Sequence, residues 1–245
     1  IAPSIVAITH SPATLSIYDY AKGALLECSL DDLTSSDPTV WHTRELPDYE
    51  VRPNSVIPAG DNVIALHGRP RFSLSKNGRV TAATDSFPTW PEQEEREESA
   101  TRLFYLTRTL WDVHPDGKKI VQGTAMGCIL HVLDISDSSI TPETDKYFLK
   151  PVFSFIKGQI GPTAETVYGF SCLRATDKNI YATLHGVANP TVFPSSIYIF
   201  DWEGNPIKRL DTDRQIISFA VDEPTGDIYA IALDSNNEQI IARMR

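Results

Sequence analysis

Basic side chains are in short supply, with 22 Lys and Arg against 32 Asp and Glu for a formal charge of −10 over 245 residues. So acidic a chain is unsuited to neutralising a phosphate backbone, which argues against nucleic acid as a partner. Cysteine is rarer still. Cys28, Cys128 and Cys172 are odd in number and far apart, so they form neither a disulfide framework nor a CxxC or Cys/His metal spacing. Each has apolar neighbours, as in Gly127-Cys128-Ile129-Leu130, and reads as a small buried hydrophobe. No apolar run approaches the ~20 residues of a membrane-spanning helix; Ile228 to Leu233 is among the longest. HExxH, a Walker loop, GxGxxG and an EF-hand loop are all missing, and Gly169-Phe170-Ser171-Cys172-Leu173 lacks the last glycine of a nucleophile elbow. No cofactor is expected from these motifs.

What the sequence does contain is repetition. Helical periodicity is nearly absent, and short β-branched and aromatic runs alternate with Gly, Pro, Asn and Asp turns, which predicts an all-β chain of antiparallel strands. A three-part phrase returns along it. The first part is an apolar strand entering a turn, as in Ser55 to Asn62, Leu110 to Gly117, Cys172 to Asn179 and Ala220 to Asp227. The second is a strand ending in a polar residue: Val6 to His10, Val63 to His67, Lys119 to Gln122, Ile180 to His185 and Ile228 to Asp234. The third is an outer hairpin, clearest in Ser196 to Lys208 and repeated in Leu15 to Leu26, in Phe72 to Val80 and loosely in Ile129 to Ile140.

A four-stranded antiparallel unit repeated in this way is the signature of a β-propeller blade. The polar strand ends at positions 10, 67, 122, 185 and 234 are spaced by 57, 55, 63 and 49 residues. Blade-like repeats are accordingly expected over about 1–50, 51–102, 103–164, 165–212 and 213–245, within one propeller domain. With such long units, five blades need roughly 280 residues and six roughly 336, so arithmetic alone leaves the blade count open.

The chain resembles the TolB-like six-bladed propellers of the bacterial envelope. The resemblance rests on Leu15-Ser16-Ile17-Tyr18-Asp19-Tyr20, on Tyr198-Ile199-Phe200-Asp201-Trp202-Glu203-Gly204-Asn205-Pro206, and on Phe219-Ala220-Val221-Asp222-Glu223 with Ile228-Tyr229-Ala230. It implies six blades, about one and a half of them upstream of Ile1. It also implies a periplasmic or cell-surface protein of a kind often made as a lipoprotein, its export signal upstream as well. Trp111-Asp112 is not a WD40 signature, because it stands on a first strand before a turn and no other repeat carries it.

The outer-hairpin aromatics Tyr18, Tyr20, Tyr198 and Trp202 are expected to pack between blades. Trp41, Trp90 and Phe193, in loops, are freer to meet a ligand. The acidic run Glu92 to Glu98 reads as a solvated insertion.

Second strands of a propeller end on the face that carries the inter-blade loops, so His10, His67, Gln122, His185 and Asp234 are the ligand-binding candidates. His67-Gly68 and His185-Gly186 share the context Leu-His-Gly, where glycine relieves crowding and imidazole offers proton transfer or metal ligation. The alternative is that each residue caps a turn of its own blade. His42, His114 and His131 share no repeat position and read as ordinary surface or turn residues.

The leading functional expectation is a non-enzymatic propeller binding an envelope protein, a glycan or a small molecule. Its loops Asp31 to Arg52, Ser86 to Arg102 and Lys150 to Val167 would rim the binding face. A metal-assisted hydrolase or lactonase-like propeller is the alternative.

Overall fold

In a computed structural model, residues 3–10, 13–90, 109–156 and 159–244 are described. They form small antiparallel sheets arranged as five blades. The first sheet runs β1 (Pro3–His10), β2 (Ala13–Asp19), β3 (Ala24–Ser29) and β4 (His42–Arg44) in spatial order, and the second runs β5 (Ser55–Ala59), β6 (Asn62–Leu66), β7 (Phe72–Lys76) and β8 (Arg79–Thr84). The third contains β9 (Thr109–Val113), β10 (Lys119–Thr124), β11 (Cys128–Ser136) and β12 (Ser139–Leu149). A separate hairpin, β13 (Ser154–Ile156) and β14 (Gln159–Gly161), follows. The fourth sheet is β15 (Val167–Ala175), β16 (Ile180–Ala188), β17 (Ser196–Phe200) and β18 (Pro206–Asp211); the fifth has three strands, β19 (Gln215–Asp222), β20 (Asp227–Leu233) and β21 (Gln239–Met244). Every sheet is a meander, so each strand bonds to its sequence neighbour, as tight Gly, Asn and Asp turns dictate.

By compactness the chain divides into two units. One comprises Ile1–Ser86 with Pro115–Lys119 and Asp134–Thr141; the other comprises Phe87–His114, Ile120–Leu133 and Pro142–Arg245.

Within the first unit, Tyr18 and Leu25 of the first sheet pack on Val56, Val63 and Ala65 of the second, with Leu46 and Tyr49 at the margin. The Tyr18 hydroxyl donates to the Pro53 carbonyl at 3.1 Å, and burial pushes the phenol up to about 12. Two arginines fasten the turns. Arg52 Nη1 donates to the Tyr20 and Ala21 carbonyls at 2.8 Å each, and Arg44 Nη2 donates to the Gly60 carbonyl at 2.7 Å.

The second unit has a larger core. Val121, Cys128, Leu130 and Val132 of the third sheet meet Phe170, Leu173, Ile180, Ala182, Phe200 and Trp202 of the fourth. On the fourth sheet's other side, Cys172 and Ile197 meet Ile216, Phe219, Ile228 and Ala230 of the fifth. Polar clamps join these sheets at their turns. Asp112 accepts from the Ala175 amide at 2.8 Å, while Glu223 accepts from Thr176 Oγ1 and from the Asp177 and Lys178 amides at 2.8–3.1 Å. The three cysteines are buried and unpaired, and burial pushes the Cys128 thiol up to about 12.

Three sequence readings change. Tyr20 is 44% exposed rather than packed between blades. Trp90 is buried against Met126 and Ile129 rather than free in a loop, a partner 36 residues away that local pattern cannot reveal. His131 is fully buried on β11, with Nδ1 2.5 Å from Asp145 Oδ1 on β12, and is not a surface residue.

Candidate functional site

The five strand-end candidates occupy different environments. His10 is the last residue of β1, opposite Ala13. His67 follows β6 directly and is only 3% exposed. Its Nδ1 lies 3.1 Å from the Val51 carbonyl and its Nε2 2.7 Å from Ser73 Oγ. A carbonyl can only accept, so Nδ1 carries the proton and Nε2 accepts from the Ser73 hydroxyl. With the Tyr49 ring at 4.9 Å, this imidazole fastens the Leu66–Phe72 turn to the loop ahead of β5. Burial holds it below its ordinary 6.5.

A sign follows for pH. A depressed histidine pKa favours the folded state above 6.5, and that stability is lost as pH falls through the folded-state value. His67→Gln should therefore cost most near pH 7.5, and its cost should shrink as pH falls toward 5. Urea unfolding of both proteins across that range checks this; a cost independent of pH would contradict it.

Asp234, one residue past β20, works locally. Its Oδ1 accepts from the Asn236 and Glu238 amides at 2.8 and 2.9 Å, which closes the turn into β21.

Gln122 lies inside β10, two residues short of its end, opposite Trp111 on β9. It is fully buried, and neither Oε1 nor Nε2 has a hydrogen-bond partner among the described residues. An orphaned amide of this kind costs about 1–3 kcal/mol. Gln122→Met should accordingly raise stability by about 1 kcal/mol or more, read as a higher urea midpoint at unchanged slope. A lower midpoint would mean that the amide is bonded in the folded protein.

His185 stands at the most elaborate strand end. β15 and β16 pair regularly from Ala175–Ile180 to Cys172–Thr183, then shift register twice, so that Tyr168 faces Val187 and Val167 faces Ala188. The second shift falls around His185-Gly186, where Gly186 takes φ +65, a conformation that glycine adopts without a Cβ penalty.

Beyond this bulge the two strands continue as a ribbon. Val187 is 52% exposed there, and in the loop that follows Val192 is 59% and Phe193 43% exposed. The Val192 carbonyl hydrogen-bonds His185, although burial dominates and lowers the imidazole pKa. The loop's base is fixed from β19: the Phe193 amide donates to Gln215 Oε1 at 3.0 Å, and the Ile216 amide donates to the Pro194 carbonyl at 2.7 Å. The result is an apolar surface beside a half-buried histidine, on a loop held at its root.

Of these residues His185 and Phe193 are visible in the sequence pattern, whereas Val187 and Val192 are not singled out by it. Among the described residues, no group of three or more His, Cys, Asp or Glu is close enough together to hold a metal ion. No described helix is long and apolar enough to cross a membrane. The acidic run Glu92 to Glu98 lies outside the described residues.

With five meander sheets and this rim in view, comparison with known proteins places the chain. The family described as TolB-like 6-blade propeller-like matches residues 28–224. The chain belongs to that family. The TolB-like match takes in β4, the second, third and fourth sheets with the β15–β16 ribbon, and β19 of the fifth sheet. No curated protein matches the sequence. Among solved structures, a chain of the mitotic checkpoint complex crystal structure is similar at a TM-score of 0.52 and 9% identity, over 96% of this TolB-like chain and 61% of that one. The present chain thus spans less than two thirds of that neighbour's length, and the likeness is one of fold alone.

Proposed function

We propose that this chain is a non-enzymatic binding propeller of the bacterial envelope and that it takes its ligand on the β15–β16 ribbon and the loop that follows. The observation that carries this reading is the exposed trio Val187, Val192 and Phe193 beside His185, on a loop rooted by Gln215 and Ile216. Rigidly seated loops with exposed apolar side chains are where a scaffold engages partners. Two exposed valines beside one phenylalanine favour the apolar surface of a partner protein over a glycan, which prefers broad aromatic faces. Of the remaining rim candidates, His67 and Asp234 serve as turn fasteners, and Gln122 is enclosed. Membership of the TolB-like family supports an envelope location.

A photo-crosslinking amino acid placed at Phe193 in cells that express the full protein tests the reading. Discrete adducts are expected from Phe193, and none from the same group at Ile207, a 57% exposed position on β18. Equal adduct patterns from both positions, or none from Phe193, would overturn it.

A further inference from the structure

The start of β15 is held between two neighbours. On one side lies the turn over 125–127, where the Gly127 amide donates to the Val167 carbonyl and the Gly169 amide donates to the Ala125 carbonyl. On the other lies the end of β16, with Tyr168 facing Val187 and Val167 facing Ala188. Together they make a small sheet whose last row is residues 184–188. β17 pairs with β16 only as far as Thr183, opposite Ile197. Past that point, among the described residues, no strand flanks β16 on the side away from β15, and no backbone hydrogen bond joins residues 184–188 to the loop over 189–195. Successive residues of a strand turn their N–H and C=O groups to alternate sides, so this row presents backbone donors and acceptors along its open side.

Its sequence sets this edge apart. Natural sheet edges are guarded against stray pairing by charged side chains, by proline or by shortness. The outermost strand of each blade has such a guard: Arg44 on β4, Arg79 on β8, Lys146 on β12, Lys208 on β18 and Arg243 on β21. In the separate hairpin, β13 and β14 are three residues each. Residues 184–188 read Leu-His-Gly-Val-Ala, with no Lys, Arg, Asp, Glu or Pro, and Gly186, Val187 and Ala188 are exposed. Tyr168 and Val187 are directly paired and so share a face, and a strand laid beside β16 would continue that apolar row.

We infer that the ribbon captures its partner by strand addition: an extended segment of another protein, with an apolar side chain opposite Val187, pairs through its backbone along residues 184–188. This rests on the ribbon being the binding surface and adds the conformation its partner takes there. An open backbone edge selects an extended peptide, because a helix satisfies its own N–H and C=O groups and a glycan offers no matching ladder. The edge is also preformed. It is the last row of a sheet anchored through Gly127 and Gly169, so the ordering cost of binding falls on the incoming segment.

Amide hydrogen exchange tests the assignment, on the adduct formed in cells by the photo-crosslinking residue at Phe193 of the full protein. Compared with the free protein, the outward-facing amides of residues 184–188 are expected to exchange at least tenfold more slowly in the purified adduct, and those of β18 at an unchanged rate. The crosslinking residue moved to Val187 and to Ala188, whose side chains leave opposite faces of the strand, should capture the same partner from both positions. Unchanged exchange over 184–188 in an adduct that does form, or capture from only one of the two positions, overturns strand addition while leaving the ribbon a surface that binds through side chains. No adduct from Phe193 overturns the ribbon reading and this inference with it. An adduct of twice the chain's mass overturns the inference too, since the occupant would then be a second copy.

Discussion

Gly169→Ala is expected to destabilise the protein by about 3–5 kcal/mol, as strain from overpacking adds to lost backbone hydrogen bonds. A Cβ on Gly169 would stand 1.8 Å from the Gly127 carbonyl oxygen and 2.6 Å from that of Thr124. Both are backbone atoms with nowhere to go. Around them the turn after β10 is stitched to the start of β15: the Gly127 amide donates to the Val167 carbonyl at 2.8 Å, the Gly169 amide to the Ala125 carbonyl at 2.9 Å, and Met126 bridges Tyr168. A methyl group at position 169 has to separate these segments, which join the third sheet to the fourth. Gly161 meets nothing within 4 Å, so Gly161→Ala should stay within about 0.5 kcal/mol of wild type. Urea unfolding of the three proteins measures both values, and a Gly169→Ala midpoint near that of wild type would contradict the described packing.

Phe170→Ala is the second large effect, expected at about 3–5 kcal/mol. The side chain is 2% exposed, stands edge-on to Phe200 at 6.2 Å between centroids, and lies among Val121, Leu130, Leu173 and Trp202. Gly123 marks how tightly it is held, because a Cβ there would come within 2.9 Å of Phe170 Cδ2 and 3.1 Å of Leu173 Cδ1. The two positions should couple. Gly123→Ala is expected to destabilise the wild type by about 1–3 kcal/mol and to be close to neutral when Phe170 is already Ala. Additive costs in this double-mutant cycle would show that the two sites do not share the space assigned to them.

The fold was legible in the sequence because each blade is a local meander, with every strand bonded to its neighbour across a turn whose Gly, Asn or Asp the sequence displays. The polar residue ending the second strand was a fair ruler where the strand stops at its turn: His67 follows β6 by one position and Asp234 follows β20 by one. It failed at His10, which closes β1, the first strand of its sheet and not a second strand. It was less exact at Gln122 and His185, two and three residues inside their strands. The extra length of β16 comes from pairing with the start of β15 after two register shifts, and the start of β15 is itself held by the distant turn around Met126.

Environments were less legible than positions. The partners of His67 are Val51 and Ser73, and nothing in Leu66-His67-Gly68 distinguishes it from Leu184-His185-Gly186. Only the fold shows one imidazole sealed by Tyr49 and the other beside an exposed apolar loop. Trp90 and Phe193 look equally free in sequence, yet one is buried against Met126 and the other open.

The central claim is that the ribbon surface around Phe193 binds a partner. Its most direct measurement is the affinity of the protein crosslinked at that position for wild type, Phe193→Asp, Val192→Asp and Ile207→Asp. All three positions are exposed, so each variant should keep its stability within about 0.5 kcal/mol of wild type. The account predicts at least tenfold weaker binding for Phe193→Asp and Val192→Asp, and unchanged binding for Ile207→Asp. Wild-type affinity in both ribbon variants would contradict it.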